Sequence, residues 1–379
     1  MDRVAPTEPG TLRLLDLARR DRAAAEEALA KLPLAEQLAV VCEAPLRDRG
    51  RLLGLLDHPE AVVPLIPPAE LCFTVKEIGL ADAAWLLEYA TPEQTVAALD
   101  LDAWSGTELD RAIANEWLQA LARTSQDAQL RGLEALDTEL VVLALRDRIG
   151  VEQRPDEHEG WSPPDGAQTL EGQFHYWAVR EDDDLADVTT LLRTLFERAY
   201  WTYFRIMLAV RWELDSDTEE WSLRWRTGRL EDLGFPTWDE AMRIYRFLGP
   251  DQRDALPPEV APIEIGAWPL PVWMPRLPEV SGPGERIFRA VAGLPDEARR
   301  ASFYAFVALA NRVAVADRLP LGDAESTPKA FAKAARFASE GLAHVAAAHG
   351  LSDTEVLARA SLEHLFRVGA NLDPERARP

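Results

Sequence analysis

The chain has 379 residues, of which 47% are hydrophobic and 28% are charged. This balance is typical of a folded globular protein, and the length excludes a miniature domain that depends on disulfides for stability. Acidic residues outnumber basic residues by 64 to 41, which gives a net charge of -23. Because such a surface repels phosphate backbones, we expect no nucleic-acid partner.

The cysteines and the apolar segments indicate the cellular compartment. Cys42 and Cys72 lie in apolar helical patterns without the spacing of a metal site or a disulfide framework. Isolated cysteines of this kind are typical of reducing compartments, where they act as small hydrophobic residues. The sequence shows neither a secretion signal nor a run of about 18 apolar residues. We therefore predict a cytoplasmic protein without a membrane span.

Residues 1–150 have a helical pattern that is interrupted by short joints containing proline. Apolar residues around Trp117 recur every three or four positions, as in an amphipathic helix that packs on a core. The distances from Pro33 to Pro68 and from Pro59 to Pro92 are close to about 34 residues, the length of one helix pair in a stacked repeat. The pattern predicts an N-terminal helical superhelix.

Four Ser/Thr-x-x-Glu/Gln pairs predict helix starts along the chain. In such a capping box the hydroxyl accepts from the backbone of the first turn, and the longer side chain reaches back to the cap residue. The pairs are Thr91 with Gln94, Ser105 with Glu108, Thr237 with Glu240, and Ser352 with Glu355.

Asp100 and Asp102 stand directly before Trp104 and could offer oxygen ligands to a divalent cation. The alternative is a seam, by which we mean a structural junction where one helix ends and the next begins. In that interpretation the helix that begins at Pro92 ends near Leu99, and the aspartates are solvated or cap the next helix. We favour the seam and predict no metal ligands here.

The sequence of residues 28–122, with "LDHPEAVVPLIPPAEL" and "ATPEQTVAALDLDAW", resembles that of the cytosolic N-domain superhelix of MgtE-type magnesium transporters. The whole chain, with "KEIGLADAAWLLEYATPEQ", "RLEDLGFPTWDEA" and "LEHLFRVGANL", is similar to an uncharacterised bacterial family of helical proteins. The first resemblance implies a helical superhelix and, in the transporters, cation sensing by acidic residues. The second implies a helical fold without an assigned function.

After residue 150 the pattern changes several times. Turn-rich residues and then the aromatic and β-branched residues of 168–180 predict a small irregular or β-hairpin insert, which an aromatic-rich helical segment follows. Eight prolines across residues 256–284 forbid a continuous helix and predict a proline-rich connector. We therefore divide the chain into 1–150, 151–255, 256–284 and a C-terminal helical unit, 285–379, and we assign the whole to an all-α class of stacked antiparallel helices.

Other acidic and histidine-containing stretches are assigned to structure. Residues 180–187 contain five carboxylates directly before a helical pattern, where the helix dipole stabilises negative charge. His158 lies among carboxylates but lacks the second histidine of a zinc motif. His344 and His349 are five positions apart and do not share a helical face. We predict no metal site and no cofactor.

The strongest candidate for a binding site lies in residues 219–238. Arginines there alternate with tryptophans inside an otherwise acidic region, and this pairing dominates binding hot spots. The alternative is a buried aromatic cluster whose arginines pair with neighbouring glutamates. The candidate binding residues are Trp221, Arg224, Trp225 and Arg226.

No phosphate-binding loop, dinucleotide-binding motif, nucleophile elbow or zinc-type cysteine pair occurs, so we name no catalytic residue. We predict a protein-interaction or scaffold module without catalytic activity, whose partner is another protein. One alternative is a divalent-cation-responsive acidic domain. The other is an enzyme with a pocket lined by the tryptophans of residues 177–238.

Overall fold

The computed structural model describes residues 10–155, 160–256 and 285–373 together with Glu375. Within these ranges the chain forms 21 α-helices, two short 3-10 helices and two antiparallel two-stranded sheets. This composition confirms the predicted all-α class. The chain divides into two compact units, residues 1–226 and residues 227–379.

The first unit contains thirteen complete helices and the start of a fourteenth within its described residues. They are α1 (Gly10–Arg20), α2 (Arg22–Ala30), α3 (Leu34–Glu43), α4 (Leu46–Leu53), α5 (Pro59–Val62), α6 (Pro68–Ile78), α7 (Ala84–Tyr89), α8 (Pro92–Asp102), α9 (Arg111–Ala122), α10 (Gln126–Ala135), α11 (Thr138–Arg146), α12 (Ala186–Arg198), α13 (Tyr200–Trp212) and α14 (Asp215–Asp232). A 3-10 helix, Val63–Leu65, follows α5.

Two hairpins interrupt these helices. Strand β1 (Trp104–Ser105) pairs with β2 (Glu108–Leu109), and β3 (Ile149–Gln153) pairs with β4 (Phe174–Ala178). The second hairpin confirms the predicted strand after residue 168.

The second unit continues from α14. Its described elements are α15 (Trp238–Ala241), the 3-10 helix Met242–Tyr245, α16 (Pro250–Asp254), α17 (Arg286–Ala292), α18 (Asp296–Ala316), α19 (Ser326–His349), α20 (Asp353–Leu357) and α21 (Leu362–Leu372). Helices α17 to α21 confirm the helical pattern predicted for this region.

The predicted four-part division stays a prediction. The boundary between the two compact units falls within α14. Of the predicted connector, residues 256–284, all but Leu256 lie outside the described residues. His158 also lies outside them.

Two of the predicted capping boxes form as expected. Thr91 Oγ1 accepts from the backbone N of Gln94 at 3.2 Å, and Gln94 Oε1 accepts from the backbone N of Thr91 at 2.9 Å. Ser352 and Glu355 make the same reciprocal pair at the start of α20. Thr237 precedes α15 without a side-chain capping bond, so only the helix start is confirmed there.

The helix start predicted at Ser105 is wrong, because Ser105 and Glu108 pair across the β1–β2 hairpin. Gly106 turns the chain with a φ of 63°, a left-handed conformation that glycine adopts without steric cost. The next helix begins later, after Asp110, whose Oδ1 accepts from the backbone N of Ala112 and Ile113. The turn formed by Gly106 therefore overrides the capping pattern.

Two helices of the second unit pack with their backbones in direct contact. A Cβ atom at Gly341 in α19 would lie 1.9 Å from the carbonyl oxygen of Leu365, and one at Gly369 in α21 would lie 2.0 Å from that of Phe337. Both helices have many buried residues, and Phe337 and Phe366 meet edge to face beside the crossing. The core of this unit thus depends on two glycines that admit no side chain.

Candidate functional site

Over residues 215–226, helix α14 turns polar side chains toward the protein and large aromatic side chains toward solvent. Thr218, Ser222 and Arg226 recur every four residues and are buried. The side chains of Trp221 and Trp225 are 46% and 49% exposed. This is the reverse of the usual amphipathic pattern, in which the apolar stripe faces the core.

The two exposed tryptophans form an ordered pair. Their rings stack with centroids 6.1 Å apart and an angle of 28° between planes. The guanidinium carbon of Arg224 lies 5.1 Å from the centroid of the Trp221 ring. Leu214, which is 66% exposed, directly precedes α14 in the chain. Leu214, Trp221, Arg224 and Trp225 together are named the α14 aromatic surface.

Arg226, the fourth predicted binding residue, does not belong to this surface. Its Nε donates to the carbonyl oxygen of Asp100 at 2.8 Å, and its Nη1 donates to that of Gly106 at 3.1 Å. Its guanidinium carbon also lies 5.0 Å from the centroid of the Trp104 ring. Arg226 therefore joins α14 to the end of α8 and to the β1–β2 turn. The five positions between Trp221 and Arg226 rotate the side chain by about 140° beyond a full turn, which separates the two residues.

An arginine of α9 fixes the start of α14. Arg111 Nη2 donates to Asp215 Oδ2 at 3.1 Å and to Glu219 Oε1 at 2.7 Å, while its Nη1 donates to Asp147 Oδ1 at 3.1 Å. Local sequence patterns do not predict this contact, because 104 positions separate Arg111 from Asp215.

A second arginine, at the end of α11, holds the corner between α13 and α14. Arg146 Nη2 donates to the carbonyl oxygens of Ala209 and Glu213 at 2.6 Å, and Nη1 donates to Asp215 Oδ1 at 2.5 Å. Burial disfavours the charged form of Asp215, but the hydrogen bonds and charges of Arg111 and Arg146 outweigh burial and lower the pKa of this carboxyl. The arginines thus stabilise Asp215 as a carboxylate.

Asp100 and Asp102 form a structural junction, as the seam interpretation favoured, but not by the expected contacts. Helix α8 continues to Asp102 instead of ending near Leu99, and Asp100 is only 1% exposed. Asp102 pairs with Lys76 and accepts from Trp117 Nε1 at 2.9 Å. The expectation of solvated or capping aspartates is therefore wrong, because α6 and α9 supply partners for Asp102 that local sequence does not reveal.

The predicted acidic cluster of residues 180–187 lies at the start of α12, as expected. It is also bound to a buried arginine. Arg148 Nε donates to Asp183 Oδ2 at 2.5 Å, and its Nη1 and Nη2 donate to the two carboxylate oxygens of Asp187 at 3.0 and 3.1 Å. Across the described residues, no group of three or more His, Cys, Asp or Glu side chains has a geometry that could hold a metal ion.

Two cavities of the first unit lie near these contacts. One, of about 510 Å³, is lined by Lys76, Asp102 and residues of α9, and the other, of about 680 Å³, is lined by Arg111, Arg146 and Trp177. Trp177 is one of the six tryptophans of residues 177–238, which would line the pocket in the enzyme alternative. The other five are exposed, namely Trp201, Trp212, Trp221, Trp225 and Trp238.

A comparison with models of known protein families shows which family the chain belongs to. Residues 26–374 match the model of the family of unknown function DUF6178. The chain belongs to DUF6178. The match covers nearly the whole chain and confirms the predicted membership of a family of helical proteins without an assigned function.

Two further comparisons found no relatives of this chain. The curated proteins contain no match to this chain, and neither do the solved structures. The resemblance of residues 28–122 to the N-domain of MgtE-type transporters is not supported. In the described ranges of this DUF6178 chain, no helix has the length and apolar character needed to cross a membrane.

Proposed function

We propose that this chain is a cytoplasmic protein-interaction module without catalytic activity, which binds a partner protein through the α14 aromatic surface. The observation that supports this proposal is the stacked, half-exposed pair of Trp221 and Trp225. Single exposed apolar residues are common on protein surfaces and need no explanation. Two stacked, half-exposed tryptophans on a helix that buries Thr218, Ser222 and Arg226 on a neighbouring face form a concentrated apolar site.

Contacts with other helices of the first unit hold α14 in place. Arg111 and Arg146 fix the first turn of α14, and Arg226 fixes its middle. A rigid surface loses little conformational entropy on binding, so more of the contact energy appears as affinity. Tryptophan and arginine are also the residues most enriched in binding hot spots. These features support protein recognition by α14, and we extend the proposal to the predicted stacked helices of residues 1–150 as its scaffold.

The test is quantitative affinity capture from cells that naturally express the chain. The W221A/W225A variant is compared with the wild type and with W201A, which removes a tryptophan that is 78% exposed on α13. We expect the wild type and W201A to retain the same partner, and W221A/W225A to recover at least about tenfold less, since each hot-spot truncation costs more than about 1 kcal/mol. Equal recovery by all three would contradict the proposal. Equal melting temperatures verify that each variant is folded.

The cation-responsive alternative gains no support from the contacts of the acidic residues. Arg148 already pairs with both Asp183 and Asp187, and Lys76 pairs with Asp102. A divalent cation would have to displace these side chains or bind beside their positive charge. The interaction module is therefore the function that the geometry supports best.

A further inference from the structure

Four carboxylates in the first two turns of α14 divide into an inner and an outer pair. The inner pair, Asp215 and Glu219, binds the guanidinium group of Arg111. The outer pair, Asp217 and Glu220, is exposed, and among the described residues neither carboxylate forms an ion pair. The same stretch of helix thus binds arginine on one side and leaves two carboxylates in solvent on the other.

The outer carboxylates border the α14 aromatic surface. Asp217 lies one turn before Trp221 on the same side of the helix, and Glu220 immediately precedes Trp221 in the chain. The side of α14 that faces solvent therefore presents tryptophan rings beside negative charge. Arg224 provides a single positive charge within this surface, over the Trp221 ring.

Arginine already lies against tryptophan rings elsewhere in the described residues. Its guanidinium carbon is 4.4 Å from the ring centroid in the pair Arg211 and Trp212, and 5.0 Å in the pair Arg226 and Trp104. The planar guanidinium stacks on aromatic faces and binds carboxylates through two hydrogen bonds, whereas the compact lysine ammonium does neither as well. A neighbouring tryptophan and carboxylate therefore form a receptor for arginine.

We propose that the occupant of the α14 aromatic surface is a basic, arginine-containing segment of the partner protein. Its apolar side chains pack on the Trp221–Trp225 stack, and its guanidinium groups pair with Asp217 and Glu220. This inference rests on the proposed function and adds the chemical class of the partner. The net charge of -23 agrees with it, because long-range attraction favours a positive partner and disfavours a second copy of this chain or an anionic membrane.

The experiment uses three fluorescein-labelled amphipathic peptides of one length, each with leucine on one face. The other face carries arginine, lysine or glutamine at the same positions. Binding to the full chain is followed by fluorescence anisotropy. We expect the arginine peptide to bind most tightly, the lysine peptide less tightly, and the glutamine peptide at least about tenfold more weakly than the arginine peptide. Raising the salt concentration weakens binding of both basic peptides.

Variants separate the contribution of charge from that of the aromatic rings. We expect D217N/E220Q to weaken the arginine peptide by about threefold to tenfold without affecting the glutamine peptide. We expect W221A/W225A to weaken all three peptides, and W201A to match the wild type.

Three results of the peptide experiment would overturn the inference about the partner. They are equal binding of the arginine and glutamine peptides, an unchanged affinity of D217N/E220Q, and no binding of the arginine peptide up to about 1 mM. Self-association that W221A/W225A abolishes would also overturn it, since the occupant would then be a second copy. If W221A/W225A still loses the cellular partner in the capture experiment, the proposed function stands and only the basic class of the partner is wrong. Unchanged capture would reject the proposed function itself.

Discussion

The guanidinium of Arg226 donates to the backbone carbonyl oxygen of Asp100 at 2.8 Å, across 126 positions of sequence. This bond joins the middle of α14 to the last turn of α8. Because Arg226 is also buried against the ring of Trp104, its charge serves the packing of the helix rather than the exposed surface. Trp221 and Trp225 of the same helix stay half exposed.

Replacing Arg226 with alanine is expected to destabilise the protein by about 2–4 kcal/mol, because the buried carbonyl oxygen of Asp100 and the partly buried one of Gly106 lose charge-assisted hydrogen bonds. The matched control is R224A, two positions away but exposed, which we expect to change stability by no more than about 0.5 kcal/mol. Urea unfolding followed by circular dichroism measures both. Equal losses for the two variants would show that Arg226 does not anchor α14.

Alanine at Gly341 or Gly369 is expected to prevent close packing of α19 on α21. A Cβ atom at either position would lie within 2.0 Å of a backbone carbonyl oxygen, so the helices would have to separate. We expect a loss of at least about 3 kcal/mol for either variant. Gly228 in α14 provides the control, because a Cβ atom there meets nothing within 4 Å and alanine favours helix by about 1 kcal/mol. Thermal unfolding of G341A and G369A at or above the wild-type temperature would contradict the packing.

The stability of the second unit is expected to depend on His364 near neutral pH. Burial, together with the charge of Arg367, lowers the pKa of His364 and outweighs its hydrogen bond to the carbonyl oxygen of Ala255. The unfolded state therefore binds the proton more readily, so stability is greatest above the unfolded pKa of about 6.5 and falls as the pH drops below it. The H364N variant removes this titration. We expect the stability difference between wild type and H364N to shift against the wild type between about pH 7.5 and pH 5.5; a constant difference would contradict the assignment.

Magnesium and calcium are expected to leave the melting temperature unchanged. The carboxylates Asp183 and Asp187 are occupied by Arg148, and Asp102 is occupied by Lys76. A cation that bound the folded chain at 100 times its Kd would add about 2.7 kcal/mol of stability. Calorimetric titration and thermal unfolding with millimolar cation test this expectation. A saturable heat with a matching rise in Tm would restore the cation-responsive alternative.

Sequence patterns predicted the features that depend on one helical turn. The capping residues Thr91 and Ser352 act within three positions, and the predicted helices begin there. Ser105 carries the same local pattern, yet the chain turns at Gly106, and Asp110 caps the next helix instead.

The candidate site was predicted only in part, because its order depends on distant contacts. Trp221, Arg224 and Trp225 were recognised by residue type. The placement of their helix depends on Arg226, whose bond to Asp100 spans 126 positions, and on Arg111, whose bond to Asp215 spans 104. Sequence adjacency placed Arg226 in the same cluster, whereas the helical rotation turned it inward. A helical-wheel plot with polar residues allowed on the buried side would have separated the two roles.

The most direct test of partner recognition by α14 is photo-cross-linking in cells that naturally express the chain. A photoreactive benzoylphenylalanine replaces Glu220, beside Trp221, or Glu93, an exposed residue of α8. We expect a discrete cross-linked partner from position 220, none from position 93, and loss of the product when W221A/W225A is added. The same partner from both positions, or a product from position 220 that survives W221A/W225A, would contradict it.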